Sequence, residues 1–426
     1  MMASALVVIP AVADAAAKRA SAVTPLVASS CDPLVYEGAG TPDVLIVSDL
    51  PMQGASRPST SQMTRAITDV LRQRSFTAGA YKVGYQACDD STAEAAAWDS
   101  AQCQANATAY AGNPQLLGII GKYSSGCAKI ILPVVNAAAG GPIAMISPSN
   151  TYQGMTRSGP GTDLGEPAKY YPTGVRNYVR VTAGDRLQAA ANAKWTKLKK
   201  RSRVFVLTDG TLYGNGQAAD YRFAARKLGI TVAGFKRWNA TAPTYGGLAK
   251  QIKASRAGAV YLAGILNNNG GQLVRDLRTV LGPKVLLIAP DGFTPVELLQ
   301  PAAGTTANGL YVSVAGHAPS LLPPAGRRFV ADFKVTEGDV GIDTYAPYAA
   351  QSAQILLDAI AASDGTRRSV VDRMFATNVV DGIMGSFGFD AKGDPTPAAI
   401  TIYQITKGRQ RPVAIVRAGL GLIRRD

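Results

Sequence analysis

Hydrophobic and polar positions follow two rhythms along this chain. Short, continuous apolar runs recur at 44–48, 81–87, 116–121, 143–147 and 178–181, and again at 204–208, 232–235, 259–264, 285–289 and 310–314. Between them lie amphipathic stretches of helical length at 61–74, 184–198, 217–228, 245–255 and 271–281. Strands that are apolar throughout, alternating with amphipathic helices, predict parallel sheets covered on both faces, a doubly wound α/β architecture. Ten strands exceed a comfortable single sheet, so two Rossmann-like lobes are expected. A Gly/Pro-rich stretch at 154–174 interrupts the rhythm. Later helices at 345–362 and 367–378 precede a hairpin, 400–405 and 413–416, joined across Gly408. The chain therefore crosses between lobes more than once. The expected division is a leader at 1–30, a first lobe from 42–181 plus 314–385, and a second from 182–313 plus 386–420.

Composition narrows the chemistry. Of 426 residues, 47% are hydrophobic, and a mean hydropathy near zero excludes a multi-span membrane protein. His317 is the only histidine, which excludes His-rich metal sites and two-histidine acid–base schemes. No metal and no cofactor are expected. Lys plus Arg total 44 against 29 Asp plus Glu, a formal charge of +15. The densest basic run, Lys197 to Arg203, directly precedes an apolar strand and reads as a solvated helix end, so no nucleic-acid partner is expected. An exported protein working near an anionic surface could carry this charge for the same electrostatic reason.

Residues 5–13 are apolar but too short to span a bilayer, and suit the core of a secretory signal followed by small residues. Export would permit disulfides. Cys31, Cys88, Cys103 and Cys127 lie in the first third of the chain with no CxxC pair, so they read as structural, and four cysteines allow three pairings. Cys31 could instead carry a lipid anchor, although Ala28 stands where a lipobox usually has Leu.

In open parallel sheets, ligands lie beyond the carboxyl ends of the strands. Five strand ends carry suitable residues. Tyr123-Ser124-Ser125-Gly126 opens a helix whose free N–H groups suit a carboxylate, although two serines also serve simply as caps. Ser147-Pro148-Ser149-Asn150-Thr151 must stay extended past its strand. The stretch from Asp209 to Ala219 contains GxGxxA, but its glycines begin too far beyond the strand for a dinucleotide fingerprint. It reads instead as a loop presenting Tyr213. Asn267-Asn268-Asn269 are turn formers first. Pro290-Asp291-Gly292 pins a carboxylate that could pair with an ammonium group, or is an ordinary Asp-Gly turn.

Taken in order, Ser48 to Gly54, Cys88-Asp89-Asp90, Ser124-Ser125-Gly126, Ile146 to Thr151, Tyr213-Gly214 and Pro290-Asp291-Gly292 resemble the leucine/isoleucine/valine-binding family of the type I periplasmic-binding fold. Members are the substrate-binding components of branched-chain amino acid ABC transporters. The resemblance covers roughly 42–417. It implies an exported, non-enzymatic monomer in the periplasm or at the outer face of the cell membrane, with an amino acid or related small molecule as ligand. Its partners would be an ABC permease with its ATPase. It implies that Ser125 binds the ligand carboxylate, that Ser149 and Thr151 serve both charged ends, and that Asp291 meets the ammonium. Tyr213 would close the pocket and Tyr123 would wall it. It further implies a Cys88–Cys127 bridge, leaving Cys31 to pair with Cys103 or to be lipidated. The same fold could serve as an amino-acid or small-amide sensor. A dinucleotide-dependent enzyme is disfavoured by the poor fingerprint and the export signal.

Overall fold

The computed structural model describes residues 23–27, 30–294, 296–337 and 341–424; the apolar core of the expected leader lies outside the described residues. In chain order the first half runs β1 (Val44–Leu50), α1 (Arg57–Gln73), β2 (Thr77–Ala78), β3 (Tyr81–Asp89), β4 (Ser91–Thr92), β5 (Ala97–Trp98), α2 (Ser100–Gly112), β6 (Leu116–Gly121), α3 (Ser125–Asn136), β7 (Ala144–Ser147) and β8 (Tyr178–Arg180). There follow α4 (Asp185–Leu198), β9 (Arg203–Thr208), α5 (Leu212–Lys227), β10 (Thr231–Arg237), α6 (Gly246–Ala254), β11 (Ala259–Ala263), α7 (Gly270–Leu281), β12 (Leu286–Ala289), α8 (Gln300–Ala303) and β13 (Tyr311–Ala315). The last part comprises α9 (Pro324–Glu337), α10 (Ala346–Ala361), α11 (Arg367–Phe375), β14 (Asn378–Gly382), β15 (Gly385–Phe389), β16 (Pro395–Thr396), β17 (Ile400–Thr406) and β18 (Arg409–Val416).

The strands form two principal sheets, ordered β2-β3-β1-β6-β7-β8 and β10-β9-β11-β12-β13-β17-β18. Pairing is parallel except for the β2–β3 edge and the β13–β17–β18 edge. β1 is buried at all seven positions, as its unbroken apolar run requires of a central strand covered on both faces. α1 turns Met63, Ala66, Ile67, Val70 and Leu71 onto one buried stripe at three- and four-residue spacing. Each sheet has a core on each face: one pair includes Ile46 and Leu356 opposite Val47 and Ile131, the other Val206 and Tyr221 opposite Leu207 and Leu277. Two doubly wound lobes follow directly from this burial.

The chain passes between lobes three times: after β8, after β13 and after β16. The third crossing falls later than the expected 385, because Phe387 and Phe389 of β15 still pack on the first lobe's core. β13 belongs to the second sheet along its whole length, so the middle crossing follows Ala315. The segment expected to remain helical to 378 ends at Phe375, and Asn378 begins β14 of a small three-stranded sheet.

The disulfides differ from the pairing that the resemblance implied. Cys31 bonds Cys88, and Cys103 bonds Cys127. The physical reason is local. Residues 31–35 run antiparallel beside β3, pairing Cys31 with Cys88 and Val35 with Tyr85. This leaves Cys103, buried on α2, to meet Cys127 in the first turn of α3. With its sulfur in a bridge, Cys31 is not available as a lipid anchor in this structure.

Candidate functional site

Asp291 and Tyr123 approach each other from opposite lobes, at the carboxyl ends of the two sheets. Tyr123 stands in the β6–α3 loop of the first lobe, two residues before Ser125 begins α3. Its neighbour Lys122 is fully buried and ion-paired with Asp49 at the end of β1 and with Asp90 after β3, at 3.3 Å for the latter. Asn106 of α2 donates to Asp49 at 3.1 Å. Burial pushes the Asp90 carboxyl up to about 7, and the Lys122 ammonium opposes that rise. This internal charge cluster fixes the loop that presents Tyr123 and Ser125. Ser124 precedes the helix in an extended conformation with no side-chain cap, and Ser125 is half-buried. The first-turn N–H groups of a helix have no partner within the helix, so this end offers donors and the positive pole of the helix dipole. Trp98 lies against the same turn, so closely that a Cβ on Gly126 would come within 2.4 Å of its ring.

The β7 loop is tied to the same place. The Ser149 hydroxyl donates to the carbonyls of Lys122 at 3.4 Å and Tyr123 at 3.3 Å, and the Asn150 amide donates to Tyr123 at 2.9 Å. The Ser149 side chain is thus committed to holding the loop. Thr151, half-buried, accepts the Asp185 N–H at 2.9 Å through its carbonyl, and its hydroxyl reaches the Asp185 carboxylate.

From the second lobe, Asp291 follows β12 and is held by Tyr213, whose hydroxyl donates to Oδ1 at 2.6 Å while accepting from the Gly292 N–H at 3.2 Å. Gln188 of α4 adds a further hydrogen bond. Burial raises the Asp291 carboxyl against these bonds. Asp185, at the start of α4, is pushed up to about 8 by burial first and by the negative charge of Asp291 second. Tyr345, just before α10, is raised by burial and then by Asp291. Burial also pushes the Tyr123 hydroxyl up to about 12, with a smaller contribution from the Asp291 charge. The rings of Tyr123 and Tyr345 meet edge to face at 5.8 Å.

The structure therefore gathers Tyr123, Thr151, Tyr213 and Asp291 where the two lobes face each other, with Ser125 and Ser149 on the loops beside them. Sequence reasoning missed Asp185, Tyr345, Trp98 and Gln188. Asp185 stands after β8 and Gly184 as Asp291 stands after β12, so the same strand-end logic could have found it. Tyr345 follows no strand and left no such signal. The glycines of the GxGxxA stretch fall inside α5, and Gly216 is packed against Gly161 of the other lobe, where a Cβ on Gly161 would lie 2.5 Å from the Gly216 Cα. The Asn triplet acts in the turn, with Asn269 at φ 64° and Asn268 donating to Asp209 at 2.9 Å. His317 is buried, and burial lowers its imidazole to about 4.

Two doubly wound lobes whose polar strand ends face each other have the architecture of a two-lobed solute-binding protein. The chain belongs to the periplasmic binding protein family, which it matches over residues 50–410. It is 24% identical over 288 residues to an amino acid binding protein of Pseudomonas aeruginosa, covering 68% of this chain and 71% of that one. It is 25% identical to Leu/Ile/Val-binding protein homolog 2 of Brucella abortus over 294 residues, 68% of this chain and 72% of the relative. Among solved structures, a substrate-binding protein of an ABC transporter from Desulfitobacterium hafniense in complex with Leu superposes with a TM-score of 0.70 at 21% identity, covering 87% of this chain and 99% of that chain. Among the described residues no helix is long and apolar enough to cross a membrane.

Proposed function

We propose that this protein captures an amino acid, branched-chain or similar, outside the cytoplasm and delivers it to an ABC permease. The observation that carries the reading is the placement of Asp291, oriented by Tyr213 in one lobe, within electrostatic reach of Tyr123 in the other, beside the open helix end at Ser125. A zwitterion needs both ends satisfied. The Ser125 hydroxyl and the α3 amides would bind its carboxylate, and Asp291 its ammonium. Ser149 would contribute backbone only, since its hydroxyl holds the loop, and Thr151 its side chain and backbone. Tyr123, with Tyr345 and Trp98, would wall the side-chain end of the pocket. Tyr213 acts as a positioning residue through Asp291.

The protein works as a monomer without catalysis. Ligand contacts to both lobes favour the closed arrangement only by the amount that they bind it more tightly than the open one. The named relatives, which bind amino acids, support the ligand class. A thermal-shift screen of the exported form against amino acids and small carboxylates tests it. A ligand at a hundred times its dissociation constant should add about 2.7 kcal/mol of stability. Stabilisation by branched-chain amino acids supports the reading, and a response to none of the amino acids contradicts it.

A further inference from the structure

The net positive charge is confined to one lobe. Residues 182–315 and 397–424 hold 23 Lys and Arg against 6 Asp and Glu, a formal +17, while the remainder holds 21 against 23, a formal −2. Within the second lobe the excess gathers at one end. In a parallel sheet every helix-to-strand turn lies at the amino ends of the strands, opposite the carboxyl ends that carry Tyr213 and Asp291. The α4–β9 turn brings Lys197, Lys199, Lys200, Arg201 and Arg203 there. The α5–β10 turn adds Arg226 and Lys227, and the α6–β11 turn Lys253 and Arg256. Lys284 precedes β12. Because β17 runs antiparallel to β13, pairing Gln404 with Tyr311, the β17–β18 turn delivers Lys407 and Arg409 to the same end. None of these turns contains an Asp or Glu, and none of these cations forms an ion pair with a carboxylate of the described residues.

We propose that this pole docks on an anionic phospholipid surface. Three observations favour a membrane over a linear polyanion. The charges spread over the turns of adjacent strands, an area rather than a track. At their centre a hollow of about 600 Å³, lined by Lys199, Arg201, Lys284 and Tyr311, has room for a phosphate headgroup. Leu198, amid the lysines, is 57% exposed and offers an apolar side chain to the headgroup boundary. Each basic residue near such a surface adds to the attraction, which decays within a Debye length. Docking here leaves Tyr213 and Asp291 free, since they stand at the opposite edge of the sheet.

Sedimentation with vesicles tests the proposal. The exported form should partition onto phosphatidylcholine vesicles containing an equal part of phosphatidylglycerol and not onto pure phosphatidylcholine. Raising salt from about 0.1 M to about 1 M, which shortens the Debye length from about 10 Å to about 3 Å, should release it. Lys197→Gln, Lys199→Gln, Lys200→Gln and Lys284→Gln together should weaken partitioning by at least about a hundredfold. The same loss of charge on the first lobe, at Lys82, Arg328, Arg373 and Lys392, should leave it nearly unchanged. Failure to bind the mixed vesicles, equal binding to pure phosphatidylcholine, or an equal effect of the first-lobe variant would overturn the proposal. So would tighter binding to a DNA duplex than to the mixed vesicles.

Discussion

Asp185 and Asp291 lie within electrostatic reach of each other, and burial raises both carboxyls. With its carboxyl at about 8, Asp185 holds a proton at neutral pH in the ligand-free protein. An arriving ammonium group offsets the charge of Asp291 that helps keep that proton in place. Binding should therefore release protons, up to about one per ligand, and affinity should rise between about pH 6 and about pH 8 as that proton becomes easier to lose. Titration calorimetry in two buffers of different ionisation heat reads this directly. Equal heats in both, with affinity flat across the range, would contradict it. At this scale the sequence drew attention to polar residues a few positions beyond an apolar strand, as Ser125, Thr151, Tyr213 and Asp291 are, but it passed over Asp185, which stands likewise after β8. It was silent on Tyr345, whose place depends on a long-range approach of α10 to the β6–α3 loop.

Lys122 shows how an element is held in position for function. Its ammonium is buried with two carboxylates at the carboxyl ends of β1 and β3, and its own loop leads into α3. Removing one member of such a group leaves uncompensated charge in the interior. Lys122→Met should lower unfolding stability by about 3–5 kcal/mol in a denaturant titration. A loss below about 1 kcal/mol would show that the cluster does not anchor the loop. Most principal strands and helices were legible, because buried parallel strands are apolar without a break: 116–121 matches β6 at both ends. The exceptions have physical reasons. α2 buries only small or polar residues beside Tyr110, including Cys103, Asn106 and Ala107, so its stripe is faint. The short strands β14 to β16 are mostly exposed or half-buried and lack an apolar run. The disulfide pairing depends on residues 31–35 lying beside β3, a register that spacing alone does not reveal.

For the whole molecule, the lobes and three crossings follow from two covered sheets, and the central claim is that a zwitterion bridges the lobes. Recognition should then fail if either charged end of the ligand loses its partner. A ligand lacking its ammonium leaves Asp291 buried and unpaired, an omission that costs about 2–5 kcal/mol at comparable buried charge pairs. The direct measurement is calorimetric titration with leucine and with isocaproate, its analogue without the amino group, on the native protein and on Asp291→Ala and Ser125→Ala. The account predicts that leucine binds the native protein at least about thirtyfold more tightly than isocaproate. It predicts that Asp291→Ala abolishes most of that preference and that Ser125→Ala weakens both ligands about fivefold, as for one lost hydrogen bond. Equal affinity for the two ligands, or unchanged leucine binding in both variants, would contradict it.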